Sequence, residues 1–86
     1  MIYRVQFSKS ANNSFSKFDN YTQRMIGLWI KNHLEGCDNP RMYGKPLGKK
    51  NECQWKYRIG TYRLISEIKD DDCIILFTAI CRRRGI

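Results

Sequence analysis

The sequence predicts an α+β fold: one mostly antiparallel sheet in the order βααβββ, with two helices packed on one of its faces. Three observations carry this. Residues 2–7 and 54–68 alternate as strands do, residues 21–37 repeat apolar side chains at three and four, and Gly60-Thr61 sits where a two-residue hairpin needs a glycine. A chain of 86 residues has room for one modest core, so a single domain over 1–86 is expected.

In the first segment, Tyr3, Val5 and Phe7 fall on one side of a strand and Ile2, Arg4 and Gln6 on the other. Ser8 or Ser10 can cap a short helix to about Phe18, with Phe15 and Phe18 three apart on one face. Asp19-Asn20 offers a break and a fresh cap. From Tyr21 to about Cys37, Met25, Ile26, Trp29, Ile30 and Leu34 form the stripe of a second helix, which Gly36 and Asn39-Pro40 end. The lone histidine, His33, lies at the edge of that stripe. With no partner placed to orient it, it reads as an ordinary, partly exposed helix residue rather than a catalytic one.

Residues 38–53 hold both prolines, two glycines and the cations Arg41, Lys45, Lys49 and Lys50. That is the composition of a loop able to touch a phosphate backbone, and equally of a solvated connection. Two strands follow, 54–59 and 62–68, then a turn at Asp70-Asp71-Asp72. A last strand, 73–81, is apolar on both alternating faces, as suits an interior position.

The charge is one-sided. Sixteen Lys and Arg against eight Asp and Glu give +8, and residues 41–86 alone carry +6, which points to a polyanionic or acidic partner for the second half. Four cysteines spaced by sixteen, twenty and eight, without a C-x-x-C pair, do not make a zinc site, and no other cofactor is called for. No charged-then-apolar leader opens the sequence, and its longest apolar run is far short of the ~20 residues that span a bilayer. The reading is a cytoplasmic protein with reduced thiols and no membrane partner.

With Gly60-Thr61 as the loop, Ile59 pairs with Tyr62, Arg58 with Arg63, Tyr57 with Leu64 and Lys56 with Ile65. Trp55, Tyr57, Ile59, Tyr62 and Leu64 then share a core face, and Lys56, Arg58 and Arg63 share the other. Directly opposed like charges are unfavourable by an amount comparable to the ~0.2–1 kcal/mol of a good cross-strand pair, and a bound phosphate would relieve them. The alternative is that the side chains splay into screened water. Arg82, Arg83 and Arg84 add charge at the end of the last strand, where alternation lets at most two of them join the cluster.

RNA cleavage by attack of the ribose 2′-hydroxyl needs a base, positive charge on the transition state, and an acid for the leaving oxygen. Neighbouring positive charges disfavour an ammonium, so a lysine crowded by guanidinium groups can serve as base; Lys56 is the candidate. Tyr43, Tyr57, Tyr62 and Trp55 are possible stacking surfaces for bases, with Trp55 and Tyr57 better placed as core.

The stretches NPRMYGKPL at 39–47 and WKYRIGTYRLI at 55–65, with YRVQFSKS at 3–10, resemble the RelE/ParE toxin superfamily. Members of that superfamily often read N-P-x-x-x-G-K-P-L and then W-R-Y-R-V-G-D-Y-R-I-I-Y. The resemblance covers nearly the whole chain and is most specific in the W-x-Y-R-x-G-x-Y-R hairpin. It implies a RelE-like fold and an mRNA interferase: a toxin of a type II toxin–antitoxin pair that cuts mRNA in the ribosomal A site and inhibits translation. By resemblance, Lys56 and Arg58 fall near the strand lysines of the site, with Lys56 or Arg58 as the base, Arg63 falls on its phosphate-binding arginine, and Arg83 on the arginine that protonates the leaving group. Arg41, Lys45, Lys49, Lys50, Arg82 and Arg84 are the expected further RNA contacts, and a cognate acidic antitoxin is the expected protein partner.

AICRRRGI at 79–86 departs from the usual A-I-G-H-R-R-E-V-Y, placing Cys81-Arg82 at the Gly-His pair and no aromatic after the arginines. A terminal stacking contact is therefore not expected. Two other functions fit the same residues. The ParE branch shares the fold and blocks DNA gyrase without cutting RNA, and a plain basic domain would bind nucleic acid with strong salt dependence and no cleavage.

Overall fold

A computed structural model describes residues 2–48 and 53–82 of the chain. The elements run β1 (Arg4–Phe7), α1 (Lys9–Ser16), α2 (Asn20–His33), a 3-10 turn (Pro40–Met42), β2 (Lys45–Pro46), β3 (Gln54–Ile59), β4 (Tyr62–Lys69) and β5 (Ile74–Arg82). The five strands form one sheet ordered β1-β5-β4-β3-β2. All neighbours are antiparallel except β1, which lies parallel to β5 at an edge. The expected α+β fold stands, with a short fifth strand inside what the sequence presents as a loop.

Both helices begin where their caps predict. The Ser8 side chain accepts from the Ala11 N–H at 3.1 Å and the Asp19 carboxylate from Thr22 N–H at 3.0 Å, each satisfying an N–H that a helix start leaves open. On α2, Thr22, Ile26 and Ile30 are buried at every fourth position, and Leu34 continues the line. Gly36 then takes φ +81°, a conformation that costs glycine little, and its N–H donates to the Tyr3 carbonyl while Cys37 C=O accepts from Tyr3 N–H. The end of α2 is thereby fixed to the start of β1.

The core lies between the helices and one face of the sheet. Ala11, Ile26, Ile30 and Leu34 meet Tyr57, Ile59, Leu64, Ile68, Ile75, Phe77 and Ile80. Burying a side chain of this size contributes about 1.5–3 kcal/mol, so this one-sided contact is the main source of stability. Phe77 and Ile80 are three apart yet both buried. The reason is a bulge: Ile65 pairs with Ala79 and Ser66 with Phe77, leaving Thr78 as the extra residue, so the inward set changes parity along β5. At the other end, Cys73 adopts φ +55° and closes the triple-aspartate turn, and β5 starts one residue later than the alternation suggests.

Candidate nucleic-acid interface

The β3–β4 hairpin has the register that Gly60-Thr61 implies. Gly60 has φ +59° at the first loop position, as a type II′ turn requires, and the pairs are Ile59 with Tyr62, Arg58 with Arg63, Tyr57 with Leu64 and Lys56 with Ile65. Tyr57 and Leu64 are completely buried beneath the helices. Lys56, Arg58 and Arg63 consequently lie on the opposite face, with Arg58 exposed and the other two half-buried.

Lys45 joins them through β2. It pairs with Lys56 across the β2–β3 ladder, so a second pair of like charges sits one two-residue step along β3 from the first. Gly44, Lys45, Lys56 and Arg58 line a pocket of about 250 Å³. Among the described residues, none of Lys45, Lys56, Arg58 and Arg63 forms an ion pair. The face is not purely cationic: Glu67 lies a further row along β4, outside that pocket, and Ile65, Ala79 and Cys81 complete the rows on β4 and β5.

The loop that carries Lys45 is held from several sides. A Cβ on Gly44 would overlap the Lys56 carbonyl oxygen, and its φ is +74°, so only glycine lets this backbone approach β3. The Trp55 indole N–H donates to the Tyr43 carbonyl, and the Tyr57 hydroxyl donates to the Pro40 carbonyl at 2.7 Å. Arg41 grips Asp70 with two hydrogen bonds of 3.0 Å and lies over the Trp55 ring, 5.8 Å from its centre. Tyr3 donates its hydroxyl to the same carboxylate at 2.7 Å. Arg41 and Tyr3 together hold the Asp70 carboxyl below the usual carboxylate range, and the Asp70 bond, helped by burial, pushes the Tyr3 phenol up to about 12.

These contacts revise part of the expected site. Arg41 stands away from the cationic cluster, because its guanidinium is already engaged by Asp70 on the helix side of the sheet. Arg82 is exposed but pairs with Tyr62, so alternation gives it the parity of the core face at the sheet's end. Tyr43, Tyr57 and Tyr62 pack against Trp29, Phe77 and Phe18, on the helix side, and offer the cationic face no stacking ring. Lys49, Lys50, Arg83 and Arg84 lie outside the described residues.

His33 stacks on Trp29 at 4.5 Å, and its Nδ1 lies 2.8 Å from the Trp29 carbonyl, a distance that makes Nδ1 the donor. It takes no part in the cluster. Among the described residues no group of His, Cys, Asp and Glu is arranged to hold a metal ion, and no helix is long and apolar enough to cross a membrane.

A cationic face on an otherwise helix-backed, five-stranded sheet defines a RelE-like α+β fold, and comparison with solved structures agrees. The chain superimposes on the toxin–antitoxin complex RelBE2 of Mycobacterium tuberculosis with a TM-score of 0.83 at 24% identity, covering 99% of this chain and 95% of that one. It matches the isolated Escherichia coli RelE toxin at 0.77 and 15% identity, over 98% and 87% of the two chains. The archaeal RelE–RelB complex of Pyrococcus horikoshii OT3 gives 0.75 and 24% identity over the full length of both. An Escherichia coli protein described as a RelE-like toxin is 29% identical over 84 residues, 96% of this chain and 85% of that protein. The family model for the ParE toxin of type II toxin–antitoxin systems matches residues 5–86. The chain belongs to that toxin family.

Proposed function

We propose that this toxin is an endoribonuclease that cuts mRNA in the ribosomal A site, acting in the cytoplasm and held in check by a cognate acidic antitoxin. The observation that carries the reading is the direct pairing of Arg58 with Arg63 beside Lys56, on the sheet face that the helices leave uncovered. A fold that needed only a stable hairpin gains nothing from opposed guanidinium groups. A phosphodiester gains two forks of donors.

In this mechanism Arg58 and Arg63 hold the non-bridging oxygens of the scissile phosphate and stabilise the charge that grows on them in the transition state. Lys56, half-buried and flanked by Lys45 and Arg58, takes the proton of the 2′-hydroxyl. The 2′-oxygen bonds to phosphorus, the bond to the 5′-oxygen breaks, and a cyclic phosphate forms. Arg83 is assigned the proton delivered to the leaving oxygen, on the resemblance of its segment to the RelE pattern. Lys45 is the loop cation best placed to add an RNA contact, because it shares the face.

The antitoxin assignment rests on the family and on the RelB-bound state of two of the similar structures. A basic toxin face calls for an acidic cover.

The matching family model names the ParE toxin, which keeps the gyrase-blocking reading in play. Two assays on one preparation separate them: primer extension on a message undergoing translation, and supercoiling of plasmid by gyrase. New cleavage ends with unimpaired supercoiling are expected. Blocked supercoiling with intact message would overturn the nuclease reading in favour of the gyrase one.

A further inference from the structure

Arg4 and Lys69 share the open face at its far end beyond Glu67, and the cations at the hairpin end form two rows rather than one patch. Arg58 and Arg63 make the first, paired across β3 and β4, and Lys45 and Lys56 make the second, paired across β2 and β3. Along β3 the rows are two residues apart, or about 7 Å at the usual rise of a strand. Lys56 belongs to the second row and lines the same pocket as Arg58 of the first. The scissile phosphate, in the function proposed above, needs only the arginine row and Lys56.

Lys45 is therefore in excess of the reaction, yet it is not casually placed. Its position depends on the close approach of Gly44 to the Lys56 carbonyl, which excludes every side chain at residue 44. The preceding loop is tied down by Trp55 to Tyr43, Tyr57 to Pro40 and Arg41 to Asp70. An arrangement tied down in this way, which sets one ammonium against another beside a pocket of about 250 Å³ that Arg58 also lines, fits a bound anion. An unstacked single strand presents successive phosphates at about the interval that separates the rows.

We propose that the pocket of Gly44, Lys45, Lys56 and Arg58 is a second phosphate site, which takes the backbone phosphate next to the one being cut and makes Lys45 its principal contact. This rests on the nuclease reading for its meaning but not for its test. The site makes the toxin prefer a substrate with two consecutive phosphates, so single-stranded stretches longer than a dinucleotide bind better than the bond to be cut alone.

The test uses the whole chain and 2′-deoxy oligonucleotides, which lack the attacking hydroxyl and cannot be cleaved. A dinucleotide with one phosphate and a trinucleotide with two, both without terminal phosphates, are titrated against the protein and binding is followed by amide chemical shifts. The wild type should bind the trinucleotide about fivefold to tenfold more tightly, with the shifts of Gly44 and Lys45 responding to the trinucleotide alone. Lys45→Gln should abolish the increment, lowering trinucleotide affinity by a larger factor than dinucleotide affinity, and lower the salt slope for the trinucleotide by about 1. Lys45→Arg should retain it. An increment that survives in Lys45→Gln, equal losses for both ligands, or no increment in the wild type would each overturn the proposal. Cleavage is read separately: a protein that shows the increment but leaves message intact refutes the nuclease and keeps the site, and one that cuts without the increment does the reverse.

Discussion

Arg58 and Arg63 occupy directly opposed positions on adjacent antiparallel strands, on the face away from the helices. Such a pair works against the hairpin that carries it. Replacing one member with a β-former that carries no charge should stabilise the protein while removing function. Arg58→Thr is expected to raise unfolding stability by about 0.2–1 kcal/mol in urea at low salt, with the gain shrinking as salt is added, and to abolish toxicity. A loss of stability in this variant would mean that the arginine makes a supporting contact.

Gly44→Ala tests how the loop is seated. The new methyl group would overlap the Lys56 carbonyl and the residue would have to keep φ +74°, so the loop must move off β3. A cost of about 1–3 kcal/mol is expected, with loss of the Lys45–Lys56 pairing visible as faster exchange of the amides at the β2–β3 ladder. Unchanged stability together with unchanged exchange would show that the loop does not depend on glycine at residue 44.

Asp70 links the loop, β1 and the β4–β5 turn. Its carboxyl is held below the usual range by Arg41 and Tyr3, so its contribution is present above the unfolded value near 3.8 and is lost as pH falls through the lower folded value. Because the pair is partly exposed, Asp70→Asn should cost only about 1 kcal/mol at neutral pH. Urea unfolding of both proteins across the acid range checks this: the difference should narrow steadily below about pH 4, and a difference that persists undiminished would show that charge is not its source.

Tyr3 gives the matching behaviour in alkali. Its phenol is raised from 10.0 to about 12, chiefly by the bond to Asp70, so the neutral form stabilises the fold below pH 10 and that contribution disappears as pH climbs to 12. Absorbance titration should show Tyr3 ionising late in the wild type and at lower pH in Asp70→Asn, where burial still raises it. Equal titration in the two proteins would remove Asp70 as the cause.

Much of the cationic face was legible because one glycine fixes a parity. Once Gly60-Thr61 is the hairpin loop, every residue from Trp55 to Ile65 has its side assigned, and the structure keeps all of those assignments. Lys45 was visible only as a loop cation. A two-residue strand containing Pro46 has no alternation to detect, and it forms because an edge position tolerates proline and Gly44 permits the approach. Arg41 reads in the sequence as a further RNA contact of the loop, since its partner Asp70 lies 29 residues away and only the folded sheet brings them together. The Thr78 bulge was hidden for a related reason: β5 is apolar at both parities, so a change of side leaves no mark on its pattern.

Single-turnover cleavage of message on programmed ribosomes, compared among wild type, Lys56→Gln and Arg63→Ala after each is shown to fold, decides whether the cationic sheet face carries the chemistry. The wild type should cut, with each variant slower by about 10²-fold or more, as expected when a general base or a transition-state charge contact is removed. Variants that fold and cut at the wild-type rate would contradict it and move the chemistry off this sheet.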